Sequence, residues 1–148
     1  MTPDIRVQPE NFDPGAENAR LEGLGGGAVA TFTGLVRGEG RLQAMELEHY
    51  PGMTEKALGQ IAEQAAGRWA LAGVTIIHRI GRLEPGARIV FVGAVSRHRR
   101  DAIEAMHFII DWLKTDAPFW KREEFADGRS EWVEVRAGDN EARERWGG

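Results

Sequence analysis

The sequence predicts an α+β fold, in which a mostly antiparallel sheet packs against two main amphipathic helices. Three observations support this prediction: β-branched and apolar runs of strand length, two stretches with a 3.6-residue apolar period, and turn sequences between neighbouring strands. After residue 27 the predicted order is strand, strand, helix, strand, strand, helix, strand, strand. The chain has 148 residues, which fits a single domain over 1–148 with less regular ends at 1–27 and 137–148.

The first third of the chain is expected to hold two short N-terminal elements and two longer strands. We expect a strand at Ile5–Val7 and a short helix near Gly15–Leu21. Ala28–Val36 is rich in β-branched and apolar residues, which favours a strand. Leu42–Tyr50 alternates between apolar and acidic residues, so we expect a half-buried strand with Met45, Leu47 and His49 on one face and Glu46 and Glu48 on the other.

Two segments carry the apolar period of an amphipathic helix. The first is expected to begin at Thr54 as N-cap, with Glu55 in the first turn. Its core-facing stripe consists of Leu58, Ile61, Ala62, Ala65 and Trp69. The second helix is predicted over Asp101–Lys114 and must end before Pro118, which restricts the preceding residue to extended conformations. Its predicted core face consists of Ile103, Met106, Ile110 and Leu113.

Two hairpins complete the predicted sheet. Val74–Ile80 and Arg88–Val95 are apolar runs separated by a Glu-Pro-Gly turn, whose glycine tolerates a positive φ. Phe119–Phe125 and Glu131–Val135 flank an Asp-Gly turn. Both pairs are therefore expected to be antiparallel.

Composition and charge argue against several classes of protein. The net charge is −4, which argues against a nucleic-acid-binding protein that works through bulk positive charge. The N-terminus lacks the basic-then-apolar pattern of a signal peptide, and no apolar run approaches the roughly 20 residues of a membrane span. We therefore expect a cytoplasmic protein that contacts neither nucleic acid nor membrane. Because the chain has no cysteine, any sulfur chemistry must take its sulfur from elsewhere.

The lysines are few, and two of them lie close together. The chain contains only Lys56, Lys114 and Lys121, and the last two flank an apolar Ala-Pro-Phe-Trp segment. A lysine beside apolar surface and other cations favours the neutral amine, which acts as a nucleophile or base. The alternative is that Lys114 is a helix C-terminal lysine favoured by the helix dipole and Lys121 a surface charge. Residue patterns alone leave both interpretations open.

A basic segment and a loop arginine suggest an anion site. Ser96–Arg100 (SRHRR) lies between an apolar strand and a helix start, where unpaired backbone N–H groups and arginines favour phosphate. A solvated turn is the alternative. Arg37 follows a strand and precedes a glycine-rich break, a position that often faces a pocket. The four histidines show no metal-site spacing, and His49 and His78 are expected to be packed or hydrogen-bonded within strands.

Five segments of the chain, in order and within about residues 27 to 136, together resemble one known family. They are TFTGLVR (31–37), LEHYPGMTEKAL (47–58), IHRIGRLEPG (77–86), SRHR (96–99) and LKTDAPFWKRE (113–123). The family that these segments resemble is the large catalytic subunit of molybdopterin synthase. The resemblance implies an α/β hammerhead-like fold without a cofactor or metal. It also implies an enzyme, a sulfurtransferase of molybdenum cofactor biosynthesis that converts cyclic pyranopterin monophosphate (precursor Z) into molybdopterin.

The resemblance also implies partners. Sulfur arrives as a thiocarboxylate on the C-terminal glycine of a small ubiquitin-like subunit, whose tail enters a pocket of the large subunit. Two large subunits form a central homodimer, and each carries one small subunit, which gives a heterotetramer. This chain itself ends in Gly147-Gly148, the mark of the sulfur carrier; we interpret that ending as coincidence.

Residue roles follow from the same motifs. Lys114 and Lys121 correspond to the catalytic lysines and also contact substrate. The other implied substrate-binding residues are Leu35, Val36, Arg37, His98, Arg99, Arg122 and Glu123. The family often has a lysine at the position of Leu35, so a substrate contact there would run through the backbone or be absent. Two further hypotheses are a binding module that holds a phosphorylated pterin or nucleotide, and a protein that docks a ubiquitin-like partner without chemistry.

Overall fold

The structure, a computed structural model, describes residues 1–38 and 42–134. Within these residues it contains three helices and eight strands, and the predicted α+β class is confirmed. Their bounds are β1 Asp4–Gln8, α1 Pro14–Glu22, β2 Ala28–Leu35, β3 Leu42–His49, α2 Met53–Arg68, β4 Leu71–Arg79, β5 Gly81–Leu83, β6 Arg88–Ser96, α3 Arg99–Thr115, β7 Phe119–Phe125 and β8 Ser130–Glu134.

The strands form two four-stranded sheets. The core sheet has the order β1-β4-β6-β2, and the second sheet has the order β5-β3-β7-β8. Strands β1 and β4 pair in parallel, whereas the other strand pairs of the described segments are antiparallel. The prediction of mostly antiparallel pairing is thus confirmed, including the pairing of β4 with β6 and of β7 with β8. Val135, the predicted end of the last strand, lies outside the described residues.

Helices α2 and α3 cover one face of the core sheet, and α1 covers the other. Ile76 and Val92 of the sheet pack beneath α2 and α3, while the alternate residues Ile77 and Phe91 pack with Leu21 of α1. Period-2 alternation sends successive side chains to opposite faces, which explains why β4 and β6 are apolar almost throughout. Each fully buried Leu, Ile or Phe contributes about 1.5–3 kcal/mol to folding.

Helix α2 confirms its predicted stripe but not its predicted cap. Leu58, Ile61, Ala62 and Ala65 are buried, and half-buried Trp69 lies just beyond the last turn. The N-cap is Gly52 (φ 84°), a conformation that glycine adopts without strain. Glu55 accepts the Gly52 N–H at 3.0 Å. Thr54 is instead a fully buried residue of the first turn, because its hydroxyl is used in a tertiary contact.

Helix α3 buries part of the predicted face and a second face beside it. Leu113 is buried, and Met106 and Ile110 are half-buried against the core cluster, but Ile103 is 51% exposed. The face that packs on the sheet and on α2 consists of Ala102, Ala105, Phe108, Ile109 and Leu113. The three predicted residues other than Leu113 therefore form a second stripe along the outer border of that face. We call Ile103, Met106 and Ile110 the outer α3 stripe.

The second sheet joins the core sheet through a small apolar cluster. Val36, just past β2, packs with Met45, Leu47 and Leu83 of β3 and β5. Strand β5, a three-residue strand between β4 and β6, was not predicted. It pairs with β3, so the segment that connects β4 and β6 of the core sheet is hydrogen-bonded to the second sheet. Gly86 (φ 89°) closes the predicted turn before β6. No helix in the described part of the chain is long and apolar enough to cross a membrane.

Candidate active site

A pocket lies where the C-terminal end of α3 meets the end of β2. Its volume is about 530 Å³, which is within the usual range for small-molecule sites. We call it the Lys114 pocket. Its cations are Arg37 and Lys114, its neutral polar side chains are Thr33 and His78, and its apolar wall includes Phe32, Leu35, Ile89 and Ile110.

Lys114 enters the pocket from the last turn of α3, where a cation interacts favourably with the helix dipole. Its side chain is exposed. The burial that the neutral-amine interpretation requires is therefore absent in this single chain. The helix ends at Thr115, whose hydroxyl donates to the Asp111 carbonyl at 2.9 Å, and the chain then turns through Pro118 into β7.

Leu35, Val36 and Arg37 are consecutive residues at the end of β2, but their surroundings differ. Arg37 and Leu35 line the Lys114 pocket, and Leu35 is 55% exposed. Val36 is buried with 3% exposure, and both its backbone groups bond to the turn before β6, at 2.9 Å to the Ala87 carbonyl and 2.8 Å from Gly86 N–H. A substrate contact of Val36 stays a prediction; in the structure the residue packs in the core and fixes the loop that carries Arg37.

His78 is buried in β4, and its ring is held from two sides. It stacks on Phe119, with ring centroids 4.1 Å apart and planes 24° apart. Its Nδ1 lies 2.9 Å from the Arg79 carbonyl oxygen, which only accepts, so Nδ1 carries the proton and donates. Burial lowers the pKa of His78 to about 4, and the ring is therefore neutral near pH 7. The sequence predicted a packed, hydrogen-bonded histidine but not that it lines the pocket.

Lys121 lies beside the Lys114 pocket rather than in its wall. It is in β7, where alternation places it on the same face as Phe119 and Glu123. Phe119 stacks on His78, which lines the pocket, and Lys121 lies two strand residues, about 7 Å, beyond Phe119. Its Nζ is 3.8 Å from a Glu123 carboxylate oxygen. Lys121 and Glu123 therefore share the strand face that carries Phe119, the residue packed on His78.

Arg122 points to the opposite face of the second sheet. It forms ion pairs with Glu46 and, at 3.4 Å, with Glu124, and its guanidinium lies 5.4 Å from the centre of the Trp132 ring. Because neighbouring residues of a strand point to opposite faces, Arg122 cannot line one pocket with Lys121. That Arg122 binds substrate stays a prediction; in the single chain its guanidinium contacts Glu46, Glu124 and Trp132 on the other face of the sheet.

His98 and Arg99 lie at the other end of α3. His98 is the N-cap, makes no side-chain cap hydrogen bond, and is exposed like Arg99. The first backbone N–H groups of a helix without a side-chain cap favour an anion. Fifteen residues of helix separate Arg99 from Lys114, about 22 Å along the axis. Within one chain, the predicted set of Arg37, His98, Arg99, Lys114 and Lys121 is therefore split into two groups.

Comparison with known proteins identifies the family. Residues 7–116 match the sequence model described as MoaE protein. The chain belongs to the MoaE protein family. It is 55% identical over 147 residues to the molybdopterin synthase catalytic subunit of Pseudomonas aeruginosa, which covers 96% of this chain and 97% of that protein.

Solved structures of MoaE-family proteins have the same fold. The molybdopterin biosynthesis MoaE protein of Burkholderia ambifaria superposes with a TM-score of 0.88 at 49% identity, over 99% of both chains. The molybdopterin synthase structure from Staphylococcus aureus has a TM-score of 0.75 at 31% identity, over 90% of this chain and 97% of that one. The α+β fold is thus shared with these solved structures.

Proposed function

We propose that this chain is the catalytic subunit of a molybdopterin synthase. It converts precursor Z into molybdopterin with sulfur from the C-terminal thiocarboxylate of a small ubiquitin-like subunit. The observation that carries the proposal is the Lys114 pocket, in which a lysine and Arg37 face an apolar wall at the position of the family's motifs. We propose that the whole chain acts as one domain and works in the cytoplasm.

The pocket fits the chemistry of the substrate. Arg37 and Lys114 supply positive charge for the phosphate, and Phe32 and Ile89 provide apolar surface for the ring system. In the transfer, a thiocarboxylate sulfur forms a bond to a substrate carbon as a carbon–oxygen bond of that carbon breaks, and the oxygen leaves with the phosphate or as water. Water then cleaves the acyl–sulfur bond, which leaves the sulfur on the substrate and a carboxylate on the partner. The lysines supply and remove protons at this centre. The chain has no cysteine, so the sulfur comes from the partner.

A second copy of the chain explains why His98 and Arg99 lie far from Lys114. The midpoint of α3 between Arg99 and Lys114 falls between Met106 and His107. The outer α3 stripe, which ends at Ile103 and Ile110, has the same midpoint. A two-fold axis there packs the stripe against its copy in antiparallel orientation. It also brings Arg99 of each chain to the partner's Lys114. We therefore propose that the homodimer assembles the complete site.

A test of this arrangement uses mixed dimers. We would co-express Lys114→Ala and Arg99→Ala chains with different tags, isolate dimers that carry both, and assay precursor Z conversion with the thiocarboxylated partner. Each mixed dimer has one site with both residues intact and one with neither. The expected rate is about half that of the wild-type dimer, whereas each variant homodimer is nearly inactive.

The matched control is a mixed dimer of Lys114→Ala and Lys121→Ala chains. Both lysines are assigned to the same chain's site, so neither site of this dimer is intact and no activity returns. If the Lys114→Ala and Arg99→Ala dimer stays as inactive as its parents, the shared site is refuted. If the wild-type protein binds precursor Z and the partner but yields no dithiolene, the enzyme assignment fails and a binding module remains.

A further inference from the structure

We infer that His78 is a substrate-contacting residue whose Nε2 accepts a hydrogen bond from a ring N–H of the pterin in the Lys114 pocket. This inference rests on the proposed function and deepens it, because it assigns an acceptor to a site otherwise described by its cations. The residue lies in β4, outside the segments that carry Arg37, Lys114 and Lys121.

The orientation of the ring is fixed before any ligand binds. The donor bond from Nδ1 to the Arg79 carbonyl holds one edge at 2.9 Å, and the stack on Phe119 holds one face. The residue is 8% exposed, and it lines the Lys114 pocket. Nε2 makes no hydrogen bond to the described residues. Among those residues it is also not one of the fully buried side-chain atoms that lack a hydrogen-bond partner, so it is not closed off from solvent. What remains accessible is therefore the bare Nε2 lone pair.

The pocket needs an acceptor of this kind. Arg37 and Lys114 carry hydrogen-bond donors only, and the hydroxyl of Thr33 is a donor as well as an acceptor. Among the described side chains around the pocket, neutral His78 thus offers an acceptor atom without a hydrogen. A pterin phosphate has both kinds of group: the phosphate oxygens accept, whereas the pyrimidine edge of the ring donates N–H. The cations suit the first group and His78 suits the second.

The protonation state of His78 is matched to this role. Burial holds its pKa near 4, so the acceptor persists throughout the physiological range. The charged groups that line the same pocket are Arg37 from the end of β2 and Lys114 from α3, and both offer hydrogen-bond donors only. A donor group of the ligand therefore meets a lone pair, not a competing N–H.

Two substitutions separate the two nitrogen atoms of His78. In His78→Asn the amide nitrogen replaces Nδ1 and keeps the bond to the Arg79 carbonyl, but nothing reaches the position of Nε2. In His78→Gln the amide reaches that position and its oxygen accepts. We expect the Kd for precursor Z, measured by calorimetry, to rise roughly tenfold in His78→Asn, the effect of one lost hydrogen bond. His78→Gln is expected to stay within about threefold of wild type.

Inorganic phosphate serves as the probe that detects a merely structural effect. Phosphate has no ring N–H, so His78→Asn and wild type are expected to bind it equally. His49→Asn is the control substitution: His49 pairs with Phe119 across the second sheet but does not line the pocket, so precursor Z affinity should not change. Thermal unfolding of each variant verifies that the protein is folded.

The inference is overturned if folded His78→Asn binds precursor Z as wild type does, or if it loses phosphate and precursor Z affinity equally. A long-range 1H–15N spectrum of the ligand-free protein gives an independent test. A proton on Nδ1 and a bare Nε2 are expected, and the opposite tautomer overturns the assignment. If wild type itself fails to bind precursor Z, the proposed function fails, while the tautomer still reports on His78 directly.

Discussion

Thr54 provides a sharp test of how α2 supports the lysine-bearing segment. Its hydroxyl is fully buried, accepts the Tyr50 N–H at 2.9 Å and donates to the Pro118 carbonyl at 3.0 Å. Pro118 lies in the turn between Lys114 and Lys121. Replacement by valine keeps the shape of the side chain but removes the hydroxyl. The Tyr50 and Pro118 backbone groups are then left without this partner.

The expected cost follows from those two groups. A buried polar group left unpaired costs about 1–3 kcal/mol, so Thr54→Val is expected to lower the free energy of unfolding by about 3 kcal/mol. For a chain of this size that corresponds to a fall of roughly 6–12 °C in Tm. Thr54→Ser keeps the hydroxyl and loses one methyl group, which costs about 1 kcal/mol.

Urea unfolding of wild type and both variants measures these differences, and hydrogen exchange reports the local effect. The backbone amides of Phe119 and its neighbours are expected to exchange faster in Thr54→Val than in Thr54→Ser. The reasoning is refuted if the valine variant is as stable as the serine variant. It is equally refuted if the stability loss appears without faster exchange in the turn after α3.

Two further predictions concern the dimer and the pH dependence of stability. Ile103 and Leu24 are equally exposed, at 51% and 52%. In sedimentation velocity, Ile103→Asp is expected to convert the proposed dimer to monomers, whereas Leu24→Asp leaves it intact. Equal behaviour of the two variants would contradict the α3 interface. The pKa of His78 is lower in the folded chain, at about 4, than the ordinary 6.5. Neutral His78 therefore contributes roughly 3 kcal/mol to the free energy of unfolding above pH 6.5, and this contribution is lost as the pH falls toward 4. Urea titrations of wild type and His78→Gln check this, and parallel pH curves would count against it.

Sequence patterns predicted the helices and most strands well, because burial of one face imposes a period on the residues. The stripe of α2 is an example, from Leu58 to Ala65. The face of α3 was only partly predicted for a related reason: Ile103 and Met106 have the same period as the buried Ala102 and Ala105, shifted by one residue. Periodicity does not distinguish the stripe that packs inside one chain from the stripe that faces outward, since both are apolar.

The site was predicted as a set of motif residues, and simple geometry already limited that set. Arg122 lies between Lys121 and Glu123 in a strand, so alternation alone separates it from its neighbours. Arg99 and Lys114 begin and end one helix, so its length keeps them apart in a single chain. His78 is different, because only the hydrogen bond of its Nδ1 to the Arg79 carbonyl and the pocket geometry show which nitrogen is accessible.

The pairing of β3 with β7 makes the position of the second lysine depend on distant parts of the chain. Leu47 lies opposite Lys121, 74 positions later, and the core sheet contains pairs almost as distant, such as Asp4 with Thr75 and Ala28 with Ser96. Non-local strand pairs slow folding, because loop-closure entropy is lost before the contacts form. We therefore expect slow folding for a chain of this size, and the strand that carries Lys121 is in place only when distant strands have met.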